Sequence, residues 1–359
     1  MTDCKALIER WVRPEIRALN AYHVPPAEGM VKLDAMENPY SWPPEMVADW
    51  QSRLEGAALN RYPDATAGAV KTRLRQVMGI ADEHDILLGN GSDEIIQLLA
   101  MAVAAPGRTL LAPEPGFVMY RMIASFVGLD YCGVPLDEQF DLDLPAMLAE
   151  IERTQPALLF LAMPNNPTGN LFSADRVEAV IKACPGLVVL DEAYTAFTDA
   201  DHLSCLSHPN VLVMRTLSKV GLAGLRLGIL IGSVDWLHEL DKLRLPYNIN
   251  VLTQVSAEFA LDHFSVLTEQ TQTIRREREA LFSELSSIEG VSCWPSEANF
   301  ILLRCEAARD VHAQMKAAGE LVKCLDGAHP ALADCLRFTV GTPEENQRML
   351  AAFRDALAG

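Results

Sequence analysis

The sequence predicts an α/β fold: a large, doubly wound, mainly parallel sheet domain followed by a smaller α+β domain. Short apolar runs at 109–112, 131–134, 158–162, 187–190, 211–214 and 227–231 are bounded like buried strands, with helical segments between most of them. After Pro246 the pattern changes to a long, charge-rich helical region over 250–287, and then to strands at 300–303 and 336–340. The expected division is an N-terminal arm over 1–29, a large domain over 30–248 and a small domain over 249–359.

Bulk properties narrow the function classes. A chain of 359 residues, half hydrophobic and 22% charged, has ordinary globular composition and an ample core. A formal net charge of −18 argues against nucleic acid or anionic membranes as partners, because both need a basic face. A small anionic substrate would have to be met by local arginines and lysines. The eight cysteines are scattered without CxxC spacing, which reads as free thiols in a reducing compartment rather than disulfides or zinc ligands. No apolar run approaches the length that spans a bilayer, and no signal-peptide pattern opens the chain, so a cytoplasmic protein is expected.

Taken in order, the chain opens with an amphipathic helix (Leu7, Ile8, Trp11, Val12) that Pro14 breaks. The arm that follows carries Tyr22 and His23, and is expected to pack onto the main body with His23 solvated. KLDAMENPY (32–40) reads as a strand turning at Asn38-Pro39, and NRYPD (60–64) as a polar turn around Tyr62. Asp85 to Leu88 leads into Gly89-Asn90-Gly91-Ser92-Asp93-Glu94 and an apolar helical run, Ile95 to Val103. Small residues before a helix let a phosphate approach its free amides, where the dipole favours negative charge. A plain N-cap at Ser92 or Asp93 fits the same residues. Neither a P-loop nor GxGxxG is present, so a nucleotide fold has little support. Strand Thr109–Ala112 then reaches PEPGF, which puts Phe117 at the same sheet edge.

The next three strands end in chemistry. LLFLAMPNNPTG (158–169) closes in a turn that includes Asn166. LVVLDEAY (187–194) delivers Asp191 at the carboxyl edge, where open α/β sheets bind ligands, and brings Tyr194 with it. Between the apolar runs at 211–214 and 229–231 lie Thr216, Ser218, Lys219, Gly221, Gly224 and Arg226. Burial lowers a lysine pKa, as a Schiff-base lysine requires, and the hydroxyls with Arg226 suit a phosphate. A surface lysine in a strand–turn–strand is the plain alternative. The connection is too tight for a helix, so these two strands are candidates for an antiparallel pair. Near the C-terminus, Thr342, Pro343 and Glu345 form a capping-box pattern. Arg337 alternates onto the face opposite Leu336 and Phe338, either a surface or a site.

PNNPTG, DEAY, TLSK and GLRLG, in this order and spacing, resemble the fold-type-I pyridoxal-phosphate aminotransferases. NRYPD (60–64), GNGSDE (89–94), PNNPTGN (164–170), LVKCLDGAHP (321–330) and CLRFTVGTPEEN (335–346) extend that resemblance over nearly the whole chain, to the histidinol-phosphate aminotransferase family. The resemblance implies pyridoxal 5'-phosphate as cofactor, with Lys219 forming the Schiff base and then carrying the proton. Asp191 would pair with the ring nitrogen, Tyr194 and Asn166 with the ring oxygen, and Phe117 would stack on the ring. Gly91, Ser92, Asp93, Thr216, Ser218 and Arg226 would hold the cofactor phosphate. In such a homodimer Tyr62 would reach the partner's phosphate, and the arm would pack with the small domain and the partner. Arg337 would take the substrate's anionic group, aided by Tyr22, Lys323 and Asn166.

The implied reaction exchanges an amino group between histidinol phosphate and 2-oxoglutarate in histidine biosynthesis. Three departures stand out: Lys323-Cys324 replaces an arginine of some members, LDAMENPY carries Asp34 and Met36, and the Lys219-to-Arg226 spacing is about one residue shorter than in some members, a loop variant within the family. The same scaffold would also suit an aromatic amino-acid aminotransferase or a phosphothreonine decarboxylase-like lyase.

Overall fold

The computed structural model describes residues 3–21 and 24–359. Tyr22 and His23, singled out above, lie outside the described residues.

The strands, in chain order, are β1 (Val31–Lys32), β2 (His84–Asn90), β3 (Thr109–Glu114), β4 (Asp130–Pro135), β5 (Leu158–Ala162), β6 (Leu187–Asp191) and β7 (Val211–Thr216). They continue as β8 (Leu227–Ser233), β9 (Ser292–Cys293), β10 (Phe300–Arg304), β11 (Glu320–Leu321), β12 (Lys323–Cys324) and β13 (Cys335–Thr339). Seven of them form the large sheet in the order β2-β8-β7-β6-β5-β3-β4. Only β8 opposes its neighbours, pairing antiparallel with β7 and with β2. The short link from Thr216 to Leu227 has no room for a crossover, which is the pairing the sequence suggested.

Every residue of β5, β6 and β7 is buried, because the sheet is covered on both faces. Alternate side chains feed two separate cores. Leu161, Leu190 and Val213 pack on one face with Leu74 and Val177, while Phe160, Val189 and Met214 pack on the other with Ile95 and Leu99. The central strands therefore read as continuous apolar runs, and their ends project polar residues at one edge.

A second sheet, β12-β13-β10-β9, is antiparallel throughout. Its core joins Phe300, Leu336, Phe338 and Phe353 to Leu33 and Tyr194. The capping box of the last helix, Pro343–Ala358, forms as read: Glu345 N–H donates to Thr342 Oγ1 at 3.2 Å, and Thr342 N–H to Glu345 Oε2 at 2.8 Å.

Three elements differ from the sequence reading. The helical region over 250–287 is two helices, Val251–Asp262 and Phe264–Ser286, broken at His263 (φ −114, ψ 26). Leu267 of the second helix lies in the core of the large sheet, whereas its Ile274, Leu281 and Leu285 lie in that of the small one. KLDAMENPY makes only the short β1 ladder with β11. Beyond it, side chains replace the ladder: Met36 N–H donates to Thr339 Oγ1, Asn299 Nδ2 donates to the Met36 carbonyl, and Met36 takes φ 54. The N-terminal helix, Cys4–Trp11, buries none of its residues, and Trp11 is 71% exposed. Arg13 donates to the Phe126 carbonyl, so this part of the arm meets helix Val118–Val127 beside the large sheet. Among the described residues, no helix is long and apolar enough to cross a membrane.

Candidate active site

The carboxyl ends of β5, β6 and β7, together with the start of helix Ser92–Val103, surround one cavity. Lys219 stands in its wall on a π-helical turn, Ser218–Leu222, that Gly221 interrupts at φ 115. Its Nζ donates to the Ala35 carbonyl at 3.2 Å and lies 5.8 Å from the centre of the Tyr194 ring. Burial, reinforced by the nearby positive charge of Arg337, lowers its pKa to about 8. The side chain faces a cavity, so the surface-lysine alternative falls.

Asp191 ends β6 and is 5% exposed. Its Oδ1 accepts from Ala193 N–H at 3.2 Å, and its Oδ2 from the Tyr120 hydroxyl at 2.6 Å. Burial raises its pKa to about 6, against the opposing pull of those two donors. Tyr194 lies edge-on to Phe300, and its hydroxyl accepts from Asn166 Nδ2 at 3.2 Å. Phe117 lines the cavity as expected.

At the other end the lining is cationic and rich in donors. Ser92 and Asp93 open the helix, and Thr216, Ser218 and Arg226 stand beside them. Arg226 pairs with Asp93 at 3.2 Å and holds the left-handed conformation (φ 50). Gly91 has φ 88, and a Cβ there would lie 2.5 Å from Arg226 Nη2. A Cβ on Gly228 would come within 2.6 Å of the Gly91 carbonyl carbon. Only glycine at both positions lets the β8 backbone and the guanidinium approach the helix start this closely. Ser218 N–H donates to Thr216 Oγ1 at 3.1 Å, with the two hydroxyl oxygens 3.0 Å apart.

A second, wider cleft of about 390 Å³ adjoins this cavity and shares Met36, Phe117 and Asn166 with it. Arg337 and Lys323 line it, paired directly across β13 and β12. Opposed residues of an antiparallel pair project to the same face. Arg337 is only 6% exposed, so the face opposite Leu336 and Phe338 is the cleft wall. Its guanidinium donates to Asn166 Oδ1 at 2.5 Å and to the Asp34 carbonyl at 2.8 Å.

Tyr62 is not brought into its own chain's cavity. It is 80% exposed and stacks on Tyr247, with ring centres 4.4 Å apart. Tyr22 lies outside the described residues. Sequence reasoning missed Tyr120, whose apolar helical surroundings mark it as core, and the trio Glu114, Arg121 and Tyr131 in the cleft. There Glu114 Oε1 accepts from Arg121 at 2.6 Å and from the Tyr131 hydroxyl at 3.1 Å. The pairing of β3 with β4 that unites them is a long-range contact with no local signal.

An amine, a buried carboxylate, a ring-sized apolar wall and an anion cup on strand ends define a class. The chain belongs to the aminotransferase class I and II family, whose model matches residues 28–353. It is 52% identical over 353 residues to the histidinol-phosphate aminotransferase 2 of Nitrosococcus oceani, covering 98% of each chain. It is 50% identical over 358 residues to the histidinol-phosphate aminotransferase 2 of Cupriavidus pinatubonensis, again covering 98% of each. Among solved structures, the histidinol-phosphate aminotransferase of Sinorhizobium meliloti in complex with pyridoxal-5'-phosphate matches with a TM-score of 0.86 at 25% identity. That match covers 97% of this chain and 98% of the other.

Proposed function

We propose that this chain is a pyridoxal-phosphate-dependent aminotransferase that interconverts L-histidinol phosphate and 2-oxoglutarate with imidazole acetol phosphate and L-glutamate, in histidine biosynthesis. The observation that carries this reading is the paired Arg337 and Lys323 in a cleft continuous with the Lys219 cavity. The relatives' names supply the substrate.

The lining fits the cofactor chemically: a cup of amides, hydroxyls and Arg226 for a phosphate, and Asp191 for a cationic ring nitrogen. Glycine at 91 and 228 leaves the space that such a cup needs. Pyridoxal phosphate, when bound, supplies an electron sink for negative charge developing at the substrate Cα. Lys219 is the group to hold the cofactor covalently. With a pKa near neutrality, its amine can also take and return the Cα proton. Asp191 would keep the ring nitrogen protonated, Tyr194 and Asn166 would hydrogen-bond the ring oxygen, and Phe117 would stack on the ring. Gly91, Ser92, Asp93, Thr216, Ser218 and Arg226 would hold the phosphate.

Arg337 binds the anionic group beside the reacting carbon, which is a carboxylate in glutamate and a phosphate ester in histidinol phosphate. A guanidinium fork fits either. Lys323 adds the second positive charge that a dianion calls for, with Tyr22 and Asn166 assisting. The proposal includes a cytoplasmic homodimer in which Tyr62 reaches the partner's cofactor phosphate, a role its exposure in the single chain supports. It also includes the division into arm (1–29), large domain (30–248) and small domain (249–359).

A coupled assay tests the reading with histidinol phosphate, phenylalanine and phosphothreonine as alternative donors to 2-oxoglutarate. Glutamate should form fastest with histidinol phosphate. Preference for phenylalanine, or carbon dioxide release from phosphothreonine, would replace the reading.

A further inference from the structure

We propose that Tyr120 is a positioning residue for Asp191: its hydroxyl orients the buried carboxylate and holds it in the ionised form that a cationic ring nitrogen needs. The inference rests on the cofactor reading above.

The Tyr120 ring is clamped. It is 2% exposed, stacked on Phe160 of β5 with centres 4.4 Å apart and planes 10° apart, and edge-on to Phe117 at 5.5 Å. Nothing in that packing requires a hydroxyl, and phenylalanine would fill the same space. The hydroxyl nevertheless reaches Asp191 Oδ2 at 2.6 Å, a short charge-assisted bond. With Ala193 N–H on Oδ1, each carboxylate oxygen accepts one protein donor, which fixes the carboxylate plane. An ionised carboxylate accepts about four bonds, so acceptor capacity remains for a ring N–H.

Burial raises the Tyr120 pKa far above its ordinary value, so the group stays a donor at all working pH. Of the other acidic groups around Asp191, the carboxylates work against its charge and the remaining phenol is neutral. Asp93, from helix Ser92–Val103, and Glu192, next in the chain, are both anionic, and buried Tyr194 is uncharged. Lys219 and Arg226 share the cavity from the turn after β7. Tyr120 is thus the side chain that offsets burial by direct hydrogen bonding.

The test is pyridoxal-phosphate binding to the cofactor-free protein, followed by intrinsic fluorescence from pH 5 to 8.5. Wild-type affinity should fall as Asp191 takes up a proton. In Tyr120→Phe the midpoint of that fall should move up by about one pH unit, and affinity at pH 7 should drop about tenfold. Placed on Asp191→Asn, the same substitution should change affinity less than twofold. Because lost packing would appear in both backgrounds, the double variant also controls for misfolding. An unmoved midpoint, or an equal loss on Asp191→Asn, overturns the proposal. Wild-type protein that takes up no cofactor at any pH would instead remove the functional reading on which the proposal rests.

Discussion

Arg337 and Asn166 are joined by a 2.5 Å hydrogen bond that ties strand β13 of the small sheet to the turn after β5 of the large one. The residue proposed to hold the substrate's anion is thereby set against a residue proposed to hold the cofactor. Arg337→Leu should weaken both half-reactions, since glutamate and histidinol phosphate are proposed to share the guanidinium. Lys323→Ala should weaken mainly histidinol phosphate. A lost charge-assisted contact costs roughly 1.5–3 kcal/mol, or ten- to hundredfold in kcat/KM. Kinetics of the two half-reactions check the asymmetry, and equal losses in Lys323→Ala would make that lysine a bystander.

Asp191→Asn should keep the fold and some cofactor while losing two to four powers of ten in turnover, roughly 3–5 kcal/mol of barrier. An amide accepts a hydrogen bond but carries no charge to hold the ring proton. Single-turnover absorbance measurements on the purified variant decide this. Near-normal turnover would place the acid elsewhere.

Lys219 carries a stability cost in the cofactor-free protein. Its folded pKa, about 8, is lowered from 10.5, so unfolding takes up a proton between those values. Stability from this group therefore rises with pH from about 8 to 10.5, and the penalty is full below 8. Lys219→Met should stabilise the cofactor-free protein at pH 7 by roughly 1–3 kcal/mol, with the gain fading toward pH 10.5. Denaturant titrations at the two pH values check it. A gain that does not depend on pH would mean packing, not charge, is responsible.

Gly91→Ala should weaken pyridoxal-phosphate binding about tenfold, because the new Cβ would strike Arg226 Nη2 and the backbone there has φ 88. Combining it with Arg226→Ala should cost less than the sum of the two losses, since the clash partner is gone. Equilibrium binding across the double-mutant cycle gives the answer. Strict additivity would separate the two residues.

The parts most readable from sequence were those where a local pattern has one physical cause. β5, β6 and β7 are apolar up to their carboxyl ends because both faces of the sheet are covered, and the polar ends of β6 and β7 mark the ligand edge. The Thr342–Glu345 cap is local and therefore visible. His263 breaks a helix without glycine or proline, so no punctuation announced it. Met36 leaves the extended conformation for bonds to Asn299 and Thr339, both more than 260 positions away, as the separations of 263 and 303 record. Strand alternation placed Arg337 off the apolar face but could not distinguish a cleft from solvent, since both accept a polar residue. Tyr120 sits in an apolar helical stripe where its hydroxyl has no sequence signature.

Helix Phe264–Ser286 has 23 residues, which at 1.5 Å each makes a rod about 34 Å long. Leu267 anchors one end among the side chains beneath the large sheet, and Ile274, Leu281 and Leu285 anchor the rest beside the small one. A rod gripped at both ends transmits tilt rather than absorbing it. Midway along the helix, the buried Arg278 Nη1 donates at 3.0 Å both to the Phe197 carbonyl, in the segment after β6, and to the Ala298 carbonyl, at the entry to β10. The sheet that carries Arg337 and Lys323 is thus braced through one guanidinium against the strand that delivers Asp191.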